Sequence, residues 1–238
     1  MVPGTNQAKK IEWYKVQFSH LSDLTKGIFN IIYPPLCEIC GIKIEPETDS
    51  ALCRKCLGQI KLLTPAVPAR CRNTNVWAVC SYEGIARECI HMFKYNARIN
   101  LAKPLSQLMI NFTNNYLKPG KFDIILPVPL HRNRLRERGF NQSELLAKNL
   151  ARSTNMPIEP KALRRIKPTI AQAGLSRAKR FANLKAAFRV DKSSAVAGKK
   201  LLLIDDVFTT GSTLGECAKA LLKAKAESVD ALVLARGM

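Results

Sequence analysis

Long apolar runs are missing from this chain of 238 residues. No stretch approaches the roughly 18 apolar residues of a transmembrane helix. The first residues, MVPGTNQAKK, have neither the hydrophobic core nor the cleavage site of a signal peptide. We therefore expect a cytoplasmic protein without a transmembrane segment, with a peripheral position at the inner face of the membrane as an alternative.

Acidic residues are also scarce, since 18 Asp and Glu stand against 38 Lys and Arg. The excess is concentrated in residues 118–200, where 20 Lys and Arg accompany 5 Asp and Glu, a net charge of +15. Such a field attracts phosphate metabolites or nucleic acid, although a generally basic, solvated surface is the alternative. Aromatic residues make up only 7% of the chain, so we expect backbone contacts to dominate any binding of single-stranded DNA.

Eight cysteines are present, and four of them form the pattern CEIC…CRKC. A CxxC turn directs two thiolates to one ion, and two such turns complete the tetrahedral sulfur shell that suits Zn²⁺. A redox site needs only one CxxC pair. We therefore predict a structural zinc site, closed to substrates, with four ligands: Cys37, Cys40, Cys53 and Cys56.

The periodicity of the chain changes along its length. Residues 1–35 contain a helical pattern, residues 36–60 hold the cysteines, and residues 61–75 are a proline-spaced linker. Residues 76–238 alternate strand and helix patterns, which predicts a mainly parallel sheet with helices on both faces. The fold class is therefore α/β with a small N-terminal zinc-finger module.

The stretch LLLIDDVFTTGST places Asp205 and Asp206 after a buried run. Ligands of α/β sheets bind at the carboxyl ends of strands. Gly211 would let the backbone approach a phosphate at the start of the next helix, with nearby hydroxyls as further donors. Carboxylates accept hydrogen bonds from a ribose diol, so the loop predicts a ribose 5-phosphate site, with a capped, Asp-rich turn as the alternative. The hydroxyl-bearing residues are Thr209, Thr210, Ser212 and Thr213.

Two other nucleotide motifs are absent, because no Lys follows the glycine as in a P-loop and no GxGxxG occurs. The loop instead resembles the phosphoribosyl pyrophosphate (PRPP) loop of type I phosphoribosyltransferases. Together with CEIC…CRKC, YEGIARECIHMFKY, ILPVPLHRNRLRERGFNQSELLAKNLA and LRRIKPTIAQAGLSRAKRFANLKAAF, it resembles the ComF (competence protein F) family within that fold.

The resemblance implies further site residues. A pyrophosphate loop would comprise Pro129, Leu130, His131 and Arg132, although His131 is equally well explained as a surface histidine. Phosphate or nucleic-acid contacts would come from Arg134, Arg136, Arg138, Arg164, Arg165, Arg177 and Arg180, the last four in a loop that closes over PRPP. Asn141 and Glu144 could form a capping box, and Lys94 could face the site or extend into solvent.

The resemblance also implies a role in natural transformation and DNA uptake, with PRPP, Mg²⁺ and single-stranded DNA as ligands. Catalysis stays open, because no residue of the sequence is identified as a catalytic base. The alternatives are an active phosphoribosyltransferase with an unknown acceptor, or a zinc-dependent scaffold that docks a helicase or channel of the DNA-uptake machinery.

Overall fold

A computed structural model describes residues 34–44, 50–64, 68–71, 73–117, 120–168 and 186–237. The helical pattern of residues 12–33, Arg177 and Arg180 lie outside the described residues. The chain divides into two units, Met1–Cys53 and Arg54–Met238. None of the helices that the structure describes has the length and apolarity to cross a membrane.

The second unit is built on a five-stranded sheet of order β1-β2-β7-β6-β3. β1 is antiparallel to β2, and all other neighbours are parallel. A separate antiparallel pair is formed by β4 and β5. The strands are β1 (Ala69–Cys71), β2 (Thr74–Ser81), β3 (Ile124–Pro127), β4 (Leu163–Arg165), β5 (Phe188–Val190), β6 (Lys200–Phe208) and β7 (Ser228–Arg236).

Helices cover both faces of this sheet, which confirms the predicted α/β class. The helices are α1 (Arg54–Gly58), α2 (Gly84–Tyr95), α3 (Ala102–Tyr116), α4 (Arg132–Arg138), α5 (Gln142–Thr154), α6 (Ser193–Val196) and α7 (Ser212–Lys223), with a 3₁₀ turn at Ile99–Leu101. On one face, Leu201 and Leu203 of β6 pack with Cys217 and Leu221 of α7. On the other, α5 packs against α3, β3 and β6. Because both faces are covered, the central strands are continuously apolar rather than alternating.

Several local features differ from, or add to, the sequence-based expectation. β1 forms within residues 61–75, the expected linker, and β4 forms at the start of the expected closing loop. The four alternating arginines, for which no secondary structure was assigned from the sequence, lie on the helix α4. β6 continues through both aspartates to Phe208, because its ladder with β7 extends to the pair Phe208↔Arg236. Neighbouring β3 ends earlier, at the pair Pro127↔Ile204, so both aspartates extend past the end of β3.

Candidate functional site

Asp206 forms a buried ion pair with Lys94, the penultimate residue of α2. Lys94 Nζ lies 2.8 Å from Asp206 Oδ1, and the two side chains are 18% and 10% exposed. Although burial lowers the pKa of Lys94, the Asp206 carboxylate holds it above its ordinary value. α2 therefore contributes a cation directly to the end of β6.

Asp205 has different partners. Its Oδ1 accepts hydrogen bonds from Ser143 Oγ of α5 at 2.9 Å and from the Asp206 backbone N–H at 3.0 Å. Burial, followed by the nearby Asp206 carboxylate, raises the pKa of Asp205 to about 7, against the opposing influence of Lys94 and Ser143. One carboxylate of the pair is thus paired with a lysine, and the other has a pKa near neutrality.

The loop after β6 makes a tight entry into α7 around Gly211. This glycine has φ +74°, a conformation that L side chains rarely adopt. A Cβ at this position would lie 2.6 Å from Cys71 Sγ and 3.0 Å from Phe208 Cε2, so space also requires glycine. Cys71 of β1 supports the loop from beneath, since its thiol donates to the Gly211 carbonyl at 3.2 Å.

The same loop presents donors to a concavity of about 230 Å³ that is open to solvent. Asp205 lines this concavity together with Val207, Phe208 and residues 209–214. Gly211, the N-cap of α7, has no side chain to cap the helix, and the Ser212 N–H makes only a long contact of 3.5 Å with Thr210 Oγ1, so the first turn can offer its amides to a ligand. Thr210 Oγ1 and Ser212 Oγ lie 2.9 Å apart, so both hydroxyls can contact the same ligand. Such an N-terminus suits an anion, with a carboxylate on the adjacent wall for hydroxyls.

The segment after β3 lies beside the aspartates, because the Val128 N–H donates to the Ile204 carbonyl at 2.9 Å. Pro129 is buried, Leu130 and His131 are partly exposed, and Arg132 is exposed. His131 is the N-cap of α4, where its Nδ1 accepts from the Asn133 N–H at 3.3 Å. His131 therefore has a structural role, and its Nε2 remains as the atom that could donate to a ligand.

The expected capping box at α5 is wrong. Asn141 occupies the N-cap position, but its side chain makes no capping bond and instead donates from Nδ2 to the Val128 carbonyl at 3.1 Å. Glu144 pairs with Lys148 at 2.6 Å. Asn141 thus fastens α5 to the segment that follows β3.

The arginines of α4 divide between two faces of the helix, because residues four apart lie on the same face. Arg132 and Arg136 are exposed. Arg134 and Arg138 are partly buried, and Arg138 donates to Gln142 Oε1 at 3.0 Å. The four therefore do not form a single row of phosphate ligands.

The two arginines of β4 also separate. Arg164 pairs with Asp191 at 2.6 Å and remains half exposed. Arg165 is more deeply buried, and burial lowers its pKa while Cys217 and Asp205 act in the opposite direction. Arg165 lies over the Phe188 ring, with its guanidinium carbon 5.6 Å from the centroid. Of the two, Arg165 is the one whose charge reaches the aspartate end of β6.

The four CxxC cysteines gather into one cluster in which all sulfurs lie within 4.8 Å of one another. Cys40 Sγ and Cys53 Sγ are 3.6 Å apart, and the Cys53 N–H donates to Cys37 Sγ at 3.4 Å. Burial raises the pKa of Cys37. Hydrogen bonds from the backbone of Cys40, Cys53 and Ile39 act in the opposite direction, and the net result is a pKa lowered to about 6. The group can hold a metal ion, since thiolates are the form that binds metals.

The remaining cysteines have other surroundings. Burial raises the pKa of Cys80 to about 12, and its thiol donates to the Leu234 carbonyl at 3.1 Å. Burial also raises the pKa of Cys217 well above its ordinary value. These thiols stay protonated at neutral pH and serve as core residues.

Two residues near the aspartates were ambiguous or missed in the sequence. Lys94 was compatible with solvent exposure, but the structure pairs it with Asp206. Ser143 carried no signal beyond its place at the start of a helix that follows a buried strand. That position brings α5 to the carboxyl edge of the sheet, where a short hydroxyl can reach Asp205.

Comparisons with known proteins agree on a phosphoribosyltransferase-like domain and on one set of relatives. Residues 147–238 match the phosphoribosyl transferase domain family. DNA utilization protein YhgH of Escherichia coli (strain K12) is 33% identical over 212 residues, covering 84% of this chain and 90% of that protein. Competence protein ComFC of Bacillus subtilis (strain 168) is 30% identical over 226 residues, covering 93% and 84%. Among solved structures, adenine phosphoribosyltransferase from Saccharomyces cerevisiae is 15% identical with a TM-score of 0.38, covering 58% of this chain and 69% of that one.

Proposed function

This chain belongs to the ComF family of competence proteins, and we propose that it binds PRPP at the β6–α7 loop and single-stranded DNA on its basic surface. The relatives that cover most of both chains are a competence protein and a DNA utilization protein, which supports a role in DNA uptake. The cellular process would be natural transformation, and the site of action the cytoplasm or the inner face of the membrane.

The observation that carries the PRPP assignment is the concavity shared by Asp205 and the start of α7. The first amides of α7 and the hydroxyls of Thr209, Thr210, Ser212 and Thr213 would hold the 5-phosphate. Asp205 would accept hydrogen bonds from the ribose diol. Asp206 is the second proposed acceptor, and its pairing with Lys94 supports a fixed orientation of that carboxylate.

The pyrophosphate of PRPP would extend toward the segment after β3. Backbone amides of residues 130–132, His131 Nε2 and the Arg132 guanidinium are the proposed donors, and Mg²⁺ would enter with PRPP and neutralise its phosphates. Arg134 and Arg165 are the proposed longer-range cations. Arg164 is the weaker candidate, because Asp191 already occupies its guanidinium.

A second candidate function is phosphoribosyl transfer to an unknown acceptor, favoured by the match of residues 147–238 to the transferase domain. The protein would position PRPP and stabilise the departing pyrophosphate electrostatically. A nearby group that titrates around neutrality is suited to proton transfer, and the pKa of Asp205 is raised to about 7. Release of pyrophosphate from PRPP, measured with and without single-stranded DNA, tests this candidate.

The four-cysteine cluster is the proposed zinc site of the N-terminal module. All four donors are thiolate-forming, which fits Zn²⁺ and leaves no position for a substrate. The ion would stabilise the module rather than take part in chemistry. A zinc-stabilised module could serve as the docking surface for a protein of the DNA-uptake machinery.

Calorimetry with PRPP and Mg²⁺ at pH 8 tests the sugar-phosphate site. Asp205→Asn should weaken PRPP about tenfold to a hundredfold, because hydrogen bonds to a charged acceptor contribute about 1.5 to 3 kcal/mol. Thr210→Val should weaken PRPP and also ribose 5-phosphate, whereas Asp205→Asn should leave a 2,3-dideoxy analogue unaffected. Thr154→Val, at the far end of α5, is the control. Wild-type protein that binds no PRPP at millimolar concentration would overturn the assignment.

A further inference from the structure

A group of three side chains in contact with one another, His91, Tyr95 and Arg138, lies on the surface at the end of α2. The Tyr95 ring is 60% exposed. The ring centroids of His91 and Tyr95 are 4.9 Å apart at an interplanar angle of 45°. The guanidinium carbon of Arg138 lies 5.0 Å from the Tyr95 centroid. Two aromatic rings and one planar guanidinium are thus grouped at the surface. We call this group the Tyr95 platform.

The platform is held in place from beneath. Arg138 donates to Gln142 Oε1 at 3.0 Å, and Gln142 is only 1% exposed. The Gln142 amide in turn donates to the Phe93 carbonyl at 3.4 Å, and the Phe93 and Phe140 rings are in contact at 5.6 Å. These contacts fix the relative positions of α2, α4 and α5, so little conformational freedom remains to be lost when a ligand binds.

A comparison within the chain shows that this arrangement is unusual. Tyr116 on α3 is similarly exposed, at 54%, and its ring centroid lies 5.1 Å from that of Phe112. Phe112 is buried, so that pair is the edge of the core. No arginine lies over the Tyr116 ring among the cation–ring contacts of the described residues. The Tyr95 platform is distinguished by its cation and by a second ring that is also exposed.

We propose that the Tyr95 platform stacks a base of single-stranded DNA, an inference that rests on the proposed DNA-binding role. Every nucleobase has a π face that can lie on a tyrosine ring, and arginine adds a cation–π contribution. The neighbouring face of α4 exposes Arg132 and Arg136, which suit the phosphates on either side of a stacked base. The one acid of α4, Glu137, lies 3.7 Å from Arg134 and is thereby partly neutralised.

The position of the platform also favours this occupant. Lys94 reaches inward to Asp206, and the next residue along α2 is Tyr95 on the surface. A strand lying on the platform would therefore pass close to the proposed sugar-phosphate site. The two ligands would share the last turn of α2, through Lys94 and Tyr95, and Arg132 at the start of α4.

The test separates stacking from phosphate contacts. Fluorescence anisotropy is measured with the full chain and two labelled strands of about 12 nucleotides, one of thymidine and one abasic with the same phosphates. Tyr95→Ala should weaken binding of the thymidine strand about fivefold to a hundredfold and leave the abasic strand unchanged, because base stacking contributes roughly that factor per base. Tyr95→Phe, which keeps the ring, and Tyr116→Ala, the matched exposed tyrosine, should bind as wild type.

The salt dependence supplies a second readout. The slope of log affinity against log salt should be the same for wild type and Tyr95→Ala, since no phosphate contact is lost. Two outcomes would refute base stacking on the platform but leave DNA binding intact, provided that wild type binds the thymidine strand. In the first, Tyr95→Ala binds that strand as tightly as wild type does. In the second, Tyr95→Ala loses affinity equally for the thymidine and the abasic strand. A wild-type protein that binds neither strand would overturn the DNA-binding role together with the platform.

Discussion

Because the pKa of Asp205 is raised in the folded protein, we predict that this carboxyl group makes the protein less stable as the pH rises. Replacing it by Asn keeps an acceptor for Ser143 and for the Asp206 N–H, and removes only the ionisable group. The folded-state pKa of Asp205 is raised from 3.8 to about 7, so the folded protein binds the proton more tightly than the unfolded chain. Stability contributed by this group is therefore greatest below pH 4, declines as the pH rises to about 7, and is constant above.

The size of this effect follows from the shift. One pKa unit corresponds to about 1.4 kcal/mol, so a shift from 3.8 to about 7 sets an upper limit of about 4 kcal/mol. Asp205 retains some exposure to solvent and is coupled to Asp206, which reduces the realised value to about 2 kcal/mol. Asp205→Asn should therefore gain about 2 kcal/mol of unfolding free energy relative to wild type between about pH 3 and pH 8.

Urea unfolding of both proteins at several pH values, followed by circular dichroism, measures this difference. Asp206→Asn provides the contrast, because it leaves the buried Lys94 ammonium without its partner. That variant should be about 2 to 4 kcal/mol less stable than wild type at pH 7. A stability difference between Asp205→Asn and wild type that does not change with pH would refute the reasoning about Asp205.

Two further predictions concern the metal and the basic helix. Freshly purified, reduced protein should carry about one zinc per chain, as measured by atomic emission. Cys53→Ser should release the zinc and destabilise the N-terminal module. The absence of stoichiometric metal from wild type would contradict the zinc site. Replacing Arg132 and Arg136 together by Gln should lower the salt slope of single-strand binding by about 1.4, since two phosphate contacts are lost at roughly 0.7 each. Arg134→Gln, on the partly buried face of α4, should leave that slope unchanged; equal slopes for all three proteins would remove α4 from the DNA surface.

Much of the fold could be predicted because its strongest elements are periodic or continuously apolar. The run at Leu201–Ile204 has no alternation, which indicates a strand covered on both faces. α4 was harder, because arginines at every second position match the period of a strand. The helix forms nonetheless, with His131 as its N-cap and Gly139 at φ +78° as its C-cap, and those cap positions carry the local information.

The candidate site could be predicted only in part. A loop such as VFTTGST indicates the role of its own residues, because the glycine, the hydroxyls and the following helix are contiguous in sequence. The partners of the two aspartates, Lys94 of α2 and Ser143 of α5, lie more than sixty residues before them in the chain. A single lysine or serine in a helix has no pattern that connects it to a distant carboxylate, so the pairing depends on tertiary packing.

The same packing explains how a phosphate site can tolerate two adjacent carboxylates. Two ionised aspartates beside the α7 N-terminus would repel a phosphate and oppose the favourable helix dipole. Lys94 offsets the charge of Asp206 at 2.8 Å, and the raised pKa of Asp205 leaves that group only partly ionised at neutral pH. The net charge next to the loop is then close to neutral although both carboxylates remain in place as hydrogen-bonding groups. A basic chain can therefore keep a pair of acids at its anion site, because a buried lysine and the raised pKa of Asp205, rather than the distant arginines, limit their net charge.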